Sequence, residues 1–161
     1  MIKRIIAQIG VTRCGGFYTE EVQKYGTRKG FRLVTLDGRT GIFAHEDICR
    51  SIHIGRYGID LQCLETLGLS AISDALRARK LVVIDEIGPM EAYCEPFRTM
   101  VLNVLNSTVP LIGTIAVKPH PWLDALKQHE RVRLSILTGN NQEEVFYTVI
   151  DLVRSALPDQ K

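Results

Sequence analysis

The chain contains Leu81-Val82-Val83-Ile84-Asp85-Glu86-Ile87-Gly88, an aliphatic run that ends in two adjacent carboxylates and a glycine. A strand of consecutive aliphatic residues is buried on both faces, as strands are in parallel sheets covered by helices. Ligands bind α/β proteins in the crevice at the carboxyl ends of such strands. The acidic pair at the end of this run therefore predicts a binding site.

Two carboxylates at this place suit nucleotide chemistry. In enzymes of phosphoryl transfer an aspartate at a strand end holds the Mg²⁺ of a nucleotide. A neighbouring glutamate can orient or deprotonate a water molecule. Asp85 and Glu86 are the candidates for these two roles. The alternative interpretation is a buried strand followed by an ordinary acidic turn.

The composition limits the classes of function. With 161 residues, of which 45% are hydrophobic and 24% charged, we expect one soluble domain that spans residues 1–161. The 20 basic and 18 acidic residues give a net charge of +2, which leaves no broad basic surface for nucleic acid. No apolar run approaches the roughly 20 residues of a membrane span. The first residues also lack the long apolar core of a signal peptide, so we expect a cytoplasmic protein.

The cysteines and histidines give no sign of a metal centre. Four residues of each type are scattered along the chain, and neither type clusters at the spacing of zinc ligands. In a cytoplasmic protein we expect the cysteines to be free thiols. They are Cys14, Cys49, Cys63 and Cys94.

Apolar periodicity predicts the order of helices and strands. Strands are expected at residues 17–22, 31–36, 42–44, 81–87, 109–117 and 133–137, and residues 45–57 are expected to be irregular. Helices are expected at residues 2–9, 64–76, 97–105, 122–129 and 141–153. The first two strands are expected to form an antiparallel hairpin. From residue 61 onward helices and strands alternate, which predicts a parallel sheet with helices on its faces.

The last helix has a capping signal and an apolar stripe. Asn141 and Glu144 have the spacing of a capping box, in which the two side chains bond the first amides of a helix. The side chains predicted to face the core are Val145, Val149, Leu152 and Val153.

An acidic strand end of this kind usually accompanies a glycine-rich loop, G-x-x-x-x-G-K-[ST], whose amides and lysine hold phosphates. The chain contains no Gly-Lys dipeptide. Gly10 to Phe17 has two glycines at a suitable spacing, but Gly16 and Phe17 stand where the lysine and the hydroxyl belong. Because helical residues precede this segment and strand-like residues follow it, we interpret it as a helix-to-strand connection.

Five segments of the chain form a more specific pattern than the acidic strand end alone. They are Gly16-Phe17-Tyr18-Thr19-Glu20-Glu21-Val22, Gly30-Phe31-Arg32-Leu33-Val34-Thr35-Leu36-Asp37-Gly38, Gly55-Arg56-Tyr57-Gly58-Ile59-Asp60, Val83-Ile84-Asp85-Glu86-Ile87-Gly88-Pro89-Met90-Glu91 and Gly113-Thr114-Ile115. In these segments and in their order, the chain resembles the P-loop nucleoside-triphosphatase family first known from thermophiles. The resemblance covers nearly the whole chain.

The resemblance implies a fold and an activity. The fold is an α/β, three-layer RecA-like P-loop NTPase fold, with a mostly parallel sheet and a β-hairpin extension. The activity is the hydrolysis of ATP, GTP or other nucleoside triphosphates to the diphosphate and phosphate, with Mg²⁺ as the cofactor.

The resemblance also implies roles for single residues. By position, Asp85 matches the Mg²⁺-associated aspartate and Glu86 the water-activating glutamate. Arg56 matches a basic position that can meet the phosphates, and Thr114 is placed to sense the γ-phosphate.

Three further residues are expected on the nucleotide. Lys118 matches a recurrent basic position, and Asn141 matches the first residue of an Asn-Arg pair that appears here as Asn141-Gln142. Tyr18 is a candidate for stacking on the base.

Several of these residues have simpler structural interpretations. Glu86 can cap a helix or belong to a turn, and Arg56 can pair with Asp60 at the surface. Thr114 is β-branched, so packing within a strand explains it as well as phosphate sensing does. Tyr18 can pack within the hairpin.

The chain departs from the family pattern in one large feature. Family members begin with a strand and a G-x-x-G-x-G-K-[ST] loop, which these 161 residues do not contain. We therefore expect the fold to lack its first strand, activity to be weak, and the open sheet to promote self-association. Two other functions stay open: a non-catalytic binding or interaction module, and a nucleic-acid or regulatory binding domain, which the near-neutral charge disfavours.

Overall fold

The acidic stretch lies in the parallel part of a seven-stranded sheet. The computed structural model describes residues 1–49 and 51–157. Strand β6 (Leu81–Ile87) lies between β1 (Cys14–Lys24) and β7 (Leu111–Ile115), and both neighbours run parallel to it. Its first four side chains are fully buried, as predicted for a strand covered on both faces. The carboxyl end of β6 therefore opens at an edge of the sheet beside its two neighbours.

Beyond β1 the sheet continues as four antiparallel strands. They are β2 (Thr27–Thr35), β3 (Thr40–His45), β4 (His53–Ile54) and β5 (Tyr57–Ile59), and the sheet order is β4-β5-β3-β2-β1-β6-β7. The predicted hairpin of β1 and β2 is confirmed, although both strands are longer than expected. The antiparallel extension is wider than one hairpin, because the segment 45–57, predicted to be irregular, contributes β4. Two strand pairs are parallel and four are antiparallel, so the described sheet is mixed and not mostly parallel as expected.

Helices cover both faces of the sheet and produce the three layers that were expected. On one face lie α1 (Ile2–Ile9) and α6 (Gln142–Ala156), and on the other lie α2 (Leu61–Cys63), α3 (Ser70–Arg77), α4 (Glu95–Asn106) and α5 (Pro121–Lys127). A π-helical segment, Leu64–Leu69, joins α2 to α3, so the predicted helix over residues 64–76 is present with a wider turn at its start.

Alternation along β6 assigns each side chain to a face. Leu81 and Val83 pack in the cluster of α1 and α6, where the isoleucine stripe of α1 is buried as predicted. Val82 and Ile84 pack in the cluster of α3, α4 and α5. By this alternation Asp85 belongs to the face of α1.

The strand predicted at residues 133–137 is wrong. This segment forms no strand, and the side chains of Leu134 and Ile136 are 54% and 81% exposed. Its alternating pattern is typical of a strand, but a strand also needs a hydrogen-bonded neighbour. Among the described residues β7 pairs with β6 alone, and no strand pairs with this segment. The side chain of Arg131 instead anchors the segment by donating to the carbonyl oxygens of Leu105 and Ser107.

The capping box predicted for the last helix is also wrong. The Asn141 side chain accepts from the Thr138 amide at 2.8 Å and donates to the Ile136 carbonyl oxygen at 2.8 Å. It therefore braces the preceding loop and does not cap α6. Leu152, predicted in the core, is 42% exposed. The buried residues of α6 are Phe146, Ile150 and Val153.

Two smaller findings complete the fold. Within residues 1–49 and 51–157, no helix combines the length and the apolar character that crossing a membrane requires. The four cysteines are free thiols, and Cys14 and Cys94 are buried.

Candidate active site

The end of β6 carries a β-bulge at the acidic pair. Asp85 and Glu86 together stand opposite one residue of β7, Thr114. A bulge adds a residue to one strand and redirects the side chains beside it, and bulges are frequent next to active sites. The peptide bond between Asp85 and Glu86 is cis. Asp85 is half-buried and Glu86 is exposed, so the pair leaves the buried strand and faces the sheet edge.

Thr114 and Asp85 are in direct contact. The Thr114 hydroxyl donates to Oδ1 of Asp85 at 2.5 Å. This bond orients the Asp85 side chain toward β7. The sequence placed Thr114 near the γ-phosphate. In the structure the Thr114 hydroxyl instead bonds Asp85, the residue predicted to bind the metal.

The face of Asp85 also carries Tyr18 and a cation. Tyr18 stands opposite Asp85 in the parallel register of β1 and β6, so the two side chains share a face. The ammonium of Lys3 lies 4.5 Å from the Tyr18 ring centroid and 2.7 Å from Oε1 of Glu20. The bond to Glu20 raises the pKa of Lys3, and the nearby charge of Asp85 adds a smaller effect. The sequence missed Lys3, because its place depends on how α1 packs.

The second carboxylate, Glu86, turns back toward Gly88. A Cβ added at Gly88 would lie 2.8 Å from Oε1 of Glu86. Although Glu86 is exposed as a whole residue, its carboxyl is partly removed from water in this turn. This desolvation raises the pKa of Glu86, and the neighbouring charge of Asp85 raises it further. A carboxyl whose pKa lies above its ordinary value is a stronger base once it is ionised.

A third carboxyl, Glu91, lies behind this turn. It is 3% exposed, and its Oε2 accepts from the Gly88 amide at 3.0 Å. Burial raises its pKa to about 8, and the charge of Glu86 contributes to the increase. No role was predicted for Glu91. The feature of the sequence that could have identified it is its position: Glu91 is an acidic residue between Met90 and Ala92, six positions after Asp85.

Arg56 lies away from the acidic pair. It follows Gly55, which has φ of 59°, in the turn between β4 and β5. Its guanidinium donates to the Arg28 carbonyl oxygen at 2.7 Å and to the Tyr57 hydroxyl at 3.0 Å. Throughout the described part of the chain, no hydrogen bond or ion pair joins Arg56 to Asp85. The structure therefore does not bring this residue to the site in the state it shows.

Lys118 and Asn141 lie on segments after β7. Lys118 is exposed in the loop between β7 and α5. The side chain of Asn141 is occupied by the loop bonds described above. Neither residue contacts Asp85 or Glu86 through any hydrogen bond in the described ranges.

Two cavities lie near the parallel strands, and one of them is on the sheet face to which Asp85 belongs. A cavity of about 320 Å³ is lined in part by Lys3, Tyr18 and Thr35, so it opens on the face of Asp85. Another, of about 370 Å³, is lined by Cys14 and Lys80 among others. Because Cys14 pairs with the first residue of β6, that cavity lies at the opposite end of the strands from the acidic pair.

The residues at the carboxyl end of β6 suit a magnesium ion that is bound partly by the protein and partly by the phosphates of a nucleotide. Residues 1–49 and 51–157 contain no group of three or more metal-ligating side chains. Mg²⁺ does not need one, because it is usually bound by one or two carboxylates together with phosphate oxygens and water. Asp85, held by Thr114, supplies a fixed oxygen donor of the right type.

Comparisons with known proteins agree with this geometry. A family model described as NTPase matches residues 1–150. The nucleoside-triphosphatase THEP1 of Thermotoga petrophila is 34% identical over 140 residues, which are 87% of this chain and 78% of that protein. The THEP1 protein of Aquifex aeolicus is 30% identical over 162 residues, with 95% of this chain and 90% of that protein covered.

Two solved structures have the same architecture. The crystal structure of THEP1 from the hyperthermophile Aquifex aeolicus superposes with a TM-score of 0.85 at 30% identity, over 94% of this chain and 90% of that one. The solution structure of a human cancer-related nucleoside triphosphatase gives a TM-score of 0.81 at 27% identity, over 99% and 91%. The predicted P-loop NTPase fold is thereby confirmed, and the chain belongs to the NTPase family.

Proposed function

We propose that the protein is a nucleoside-triphosphatase, which hydrolyses nucleoside triphosphates to the diphosphate and phosphate at the acidic end of β6. The observation that carries the proposal is the bulge, which presents Asp85, held by Thr114, beside Glu86 at the sheet edge. Membership of the NTPase family supports it, and so do relatives that are named nucleoside-triphosphatases.

Asp85 is the residue that would hold Mg²⁺. The bond from Thr114 orients its carboxylate, and its position at a strand end is where phosphoryl-transfer enzymes hold the metal. When bound, Mg²⁺ would supply charge neutralisation at the phosphates. The Lys3 ammonium on the same face adds positive charge near the position expected for them.

Glu86 is the residue that would activate water. Its carboxylate takes a proton from a water molecule whose oxygen attacks the γ-phosphorus. The bond from that phosphorus to the bridging oxygen breaks, and its electron pair leaves with the diphosphate. Positioning and charge stabilisation provide most of the catalysis in such reactions.

The remaining predicted residues have unequal support. Tyr18 lines a cavity of about 320 Å³ on the face of Asp85, which is within the size range of ligand sites, so we place the nucleotide base there. Thr114 retains acceptor capacity in its hydroxyl and stays our candidate for sensing the γ-phosphate. Arg56, Lys118 and Asn141 stay predictions, since no hydrogen bond or ion pair in the described residues joins any of them to Asp85 or Glu86.

The phosphates have few partners in these 161 residues. The G-x-x-x-x-G-K-[ST] loop, which holds phosphates through amides and a lysine, does not occur in the sequence. We therefore propose weak nucleotide binding by this chain. The cytoplasmic location and the absence of nucleic-acid binding, both expected from composition, also stay predictions.

The alternative is a non-catalytic interaction module. It is favoured by the exposed apolar side chains of Leu134 and Ile136, together with a strand β7 that is paired on one side in the described residues. Such surfaces commonly take up a partner.

Product analysis separates the two functions. The 161-residue protein is incubated with millimolar ATP, GTP, CTP or UTP, with Mg²⁺ or with EDTA, and the products are separated by chromatography. We expect equal amounts of diphosphate and phosphate, dependent on Mg²⁺ and lost in Asp85→Asn. Asp47→Asn, at a side chain that is 85% exposed, is the matched control. Phosphate release no faster than in Asp85→Asn would favour the interaction module.

A further inference from the structure

The turn after the acidic pair is held through both backbone polar groups of one residue, Gly88. The Gly88 amide donates to Oε2 of Glu91 at 3.0 Å, and the Gly88 carbonyl oxygen accepts from the Ala92 amide at 3.0 Å. Glu91 and Ala92 belong to a short 3₁₀ helix, Glu91–Tyr93, that is buried at its start. Gly88 is therefore anchored to a fixed element, two residues after Glu86.

Gly88 is also the place where the two glutamate carboxyls converge. A Cβ at Gly88 would lie 2.8 Å from Oε1 of Glu86 and 2.8 Å from Oε2 of Glu91. Cβ atoms essentially never approach other atoms this closely. The missing side chain thus leaves a notch, defined by Gly88, Glu86 and Glu91, in which both carboxyl groups fit.

Packing in the core does not by itself explain why a glutamate is buried at position 91. The residue is 3% exposed, and carboxyls are rarely buried to this degree without a partner. Its side chain accepts hydrogen bonds from two backbone amides, those of Gly88 and of Glu91 itself. The raised pKa, about 8, keeps the carboxyl mostly uncharged at neutral pH, which limits the cost of its burial. An apolar residue would pack there at lower cost but would not bond Gly88.

We propose that Glu91 is a positioning residue for Glu86: its carboxyl fixes Gly88 and, through the notch, keeps the carboxyl of Glu86 directed at the reacting water. The inference deepens the proposed function and rests on it, since it assumes that Glu86 activates water. Glu91 itself touches no substrate in this arrangement.

Three variants test this role. Glu91→Gln keeps an oxygen that can accept from the Gly88 amide, Glu91→Ala removes it, and Gly88→Ala fills the notch. The matched controls are Glu144→Ala, at an exposed position of α6, and Gly139→Ala, where an added Cβ meets nothing within 4 Å. The position of the Glu86 carboxyl is determined by crystallography. The dissociation constant for Mg-ATP and the rate of phosphate release are measured separately, and both are corrected for the folded fraction.

The expected pattern is specific. Glu91→Gln and both controls keep Glu86 in place and release phosphate within about threefold of the wild type. Glu91→Ala and Gly88→Ala displace the Glu86 carboxyl and slow phosphate release by at least about tenfold, while the dissociation constant stays within about threefold. If Glu91→Ala does not fold, Gly88→Ala and the rescue by glutamine still decide the matter.

Other outcomes overturn the inference. An unmoved Glu86 in Gly88→Ala or Glu91→Ala would contradict it, and so would rates and affinities that decline together in proportion to the folded fraction. If the wild type releases no phosphate, the proposed function fails, and the Glu86 positions alone still show whether Glu91 holds that side chain.

Discussion

Replacing Glu91 by glutamine removes a buried ionisable group and should change how stability depends on pH. Burial raises the pKa of Glu91 from its ordinary 4.5 to about 8. Between these values the unfolded chain has released a proton that the folded protein keeps, so stability decreases as pH rises through this window. Each pH unit costs about 1.4 kcal/mol, and the cost reaches about 3 kcal/mol at pH 7. Glutamine does not ionise and avoids this cost.

The assay is urea unfolding at several pH values between 4.5 and 8.5, followed by circular dichroism. The measured quantity is the free energy of unfolding of Glu91→Gln minus that of the wild type. Comparing this difference between pH values cancels any constant effect of the amide on packing or hydrogen bonding. Glu144→Gln, which removes an exposed carboxyl of α6, is the matched control. We expect the difference for Glu91→Gln to grow by about 3 kcal/mol from pH 4.5 to pH 7 and the control to show no such growth.

A difference that stays constant across this range would show that Glu91 ionises equally easily in the folded and unfolded states, and that its burial does not raise its pKa. A difference that shrinks with rising pH would show that Glu91 is stabilised as a carboxylate, against its burial beside Glu86.

Three further outcomes are expected. Thr114→Val removes the hydroxyl that orients Asp85; it should lower the free energy of unfolding by about 1 kcal/mol and weaken the Mg²⁺ dependence of phosphate release, whereas exposed Thr108→Val should do neither. An unchanged Mg²⁺ dependence would show that the bond does not matter for the metal. The protein should self-associate with rising concentration in size-exclusion chromatography, and Ile136→Lys at the exposed segment beside α6 should reduce this; a stable monomer at all concentrations would contradict the prediction. Calorimetric titration with Mg-ATP should give a dissociation constant of about 1 mM or weaker, and micromolar affinity would show that the phosphates have partners other than the glycine-rich loop.

Much of the fold follows from local patterns in the chain. The aliphatic run before Asp85 required a strand covered on both faces, and the isoleucine stripe of α1 required a buried helix face. Both were found, because each pattern depends on one element and one apolar environment. The strand predicted at residues 133–137 was wrong for the opposite reason: alternation identifies a chain able to form a strand, but a neighbour must supply the hydrogen bonds.

The residues of the candidate site also fall into those that one segment of sequence reveals and those that depend on the fold. Asp85 and Glu86 were identified because an acidic pair at the end of a buried run is visible in one segment. The contact from Thr114 to Asp85, the cation of Lys3 and the carboxyl of Glu91 depend on register, helix packing and a turn, which no single segment displays. Arg56 was predicted at the site because it lies in a segment that matches the family. In the structure it bonds Arg28 and Tyr57 and makes no bond to the acidic pair in the described residues.

The central claim is that Glu86 activates water for hydrolysis of a nucleoside triphosphate. Its most direct test is the rate of phosphate release from millimolar Mg-ATP by the wild type and by Glu86→Gln, with the dissociation constant of each measured alongside. We expect a loss of at least about 100-fold in rate with a dissociation constant within about threefold of the wild type. A variant that releases phosphate as fast as the wild type would show that Glu86 does not activate the water.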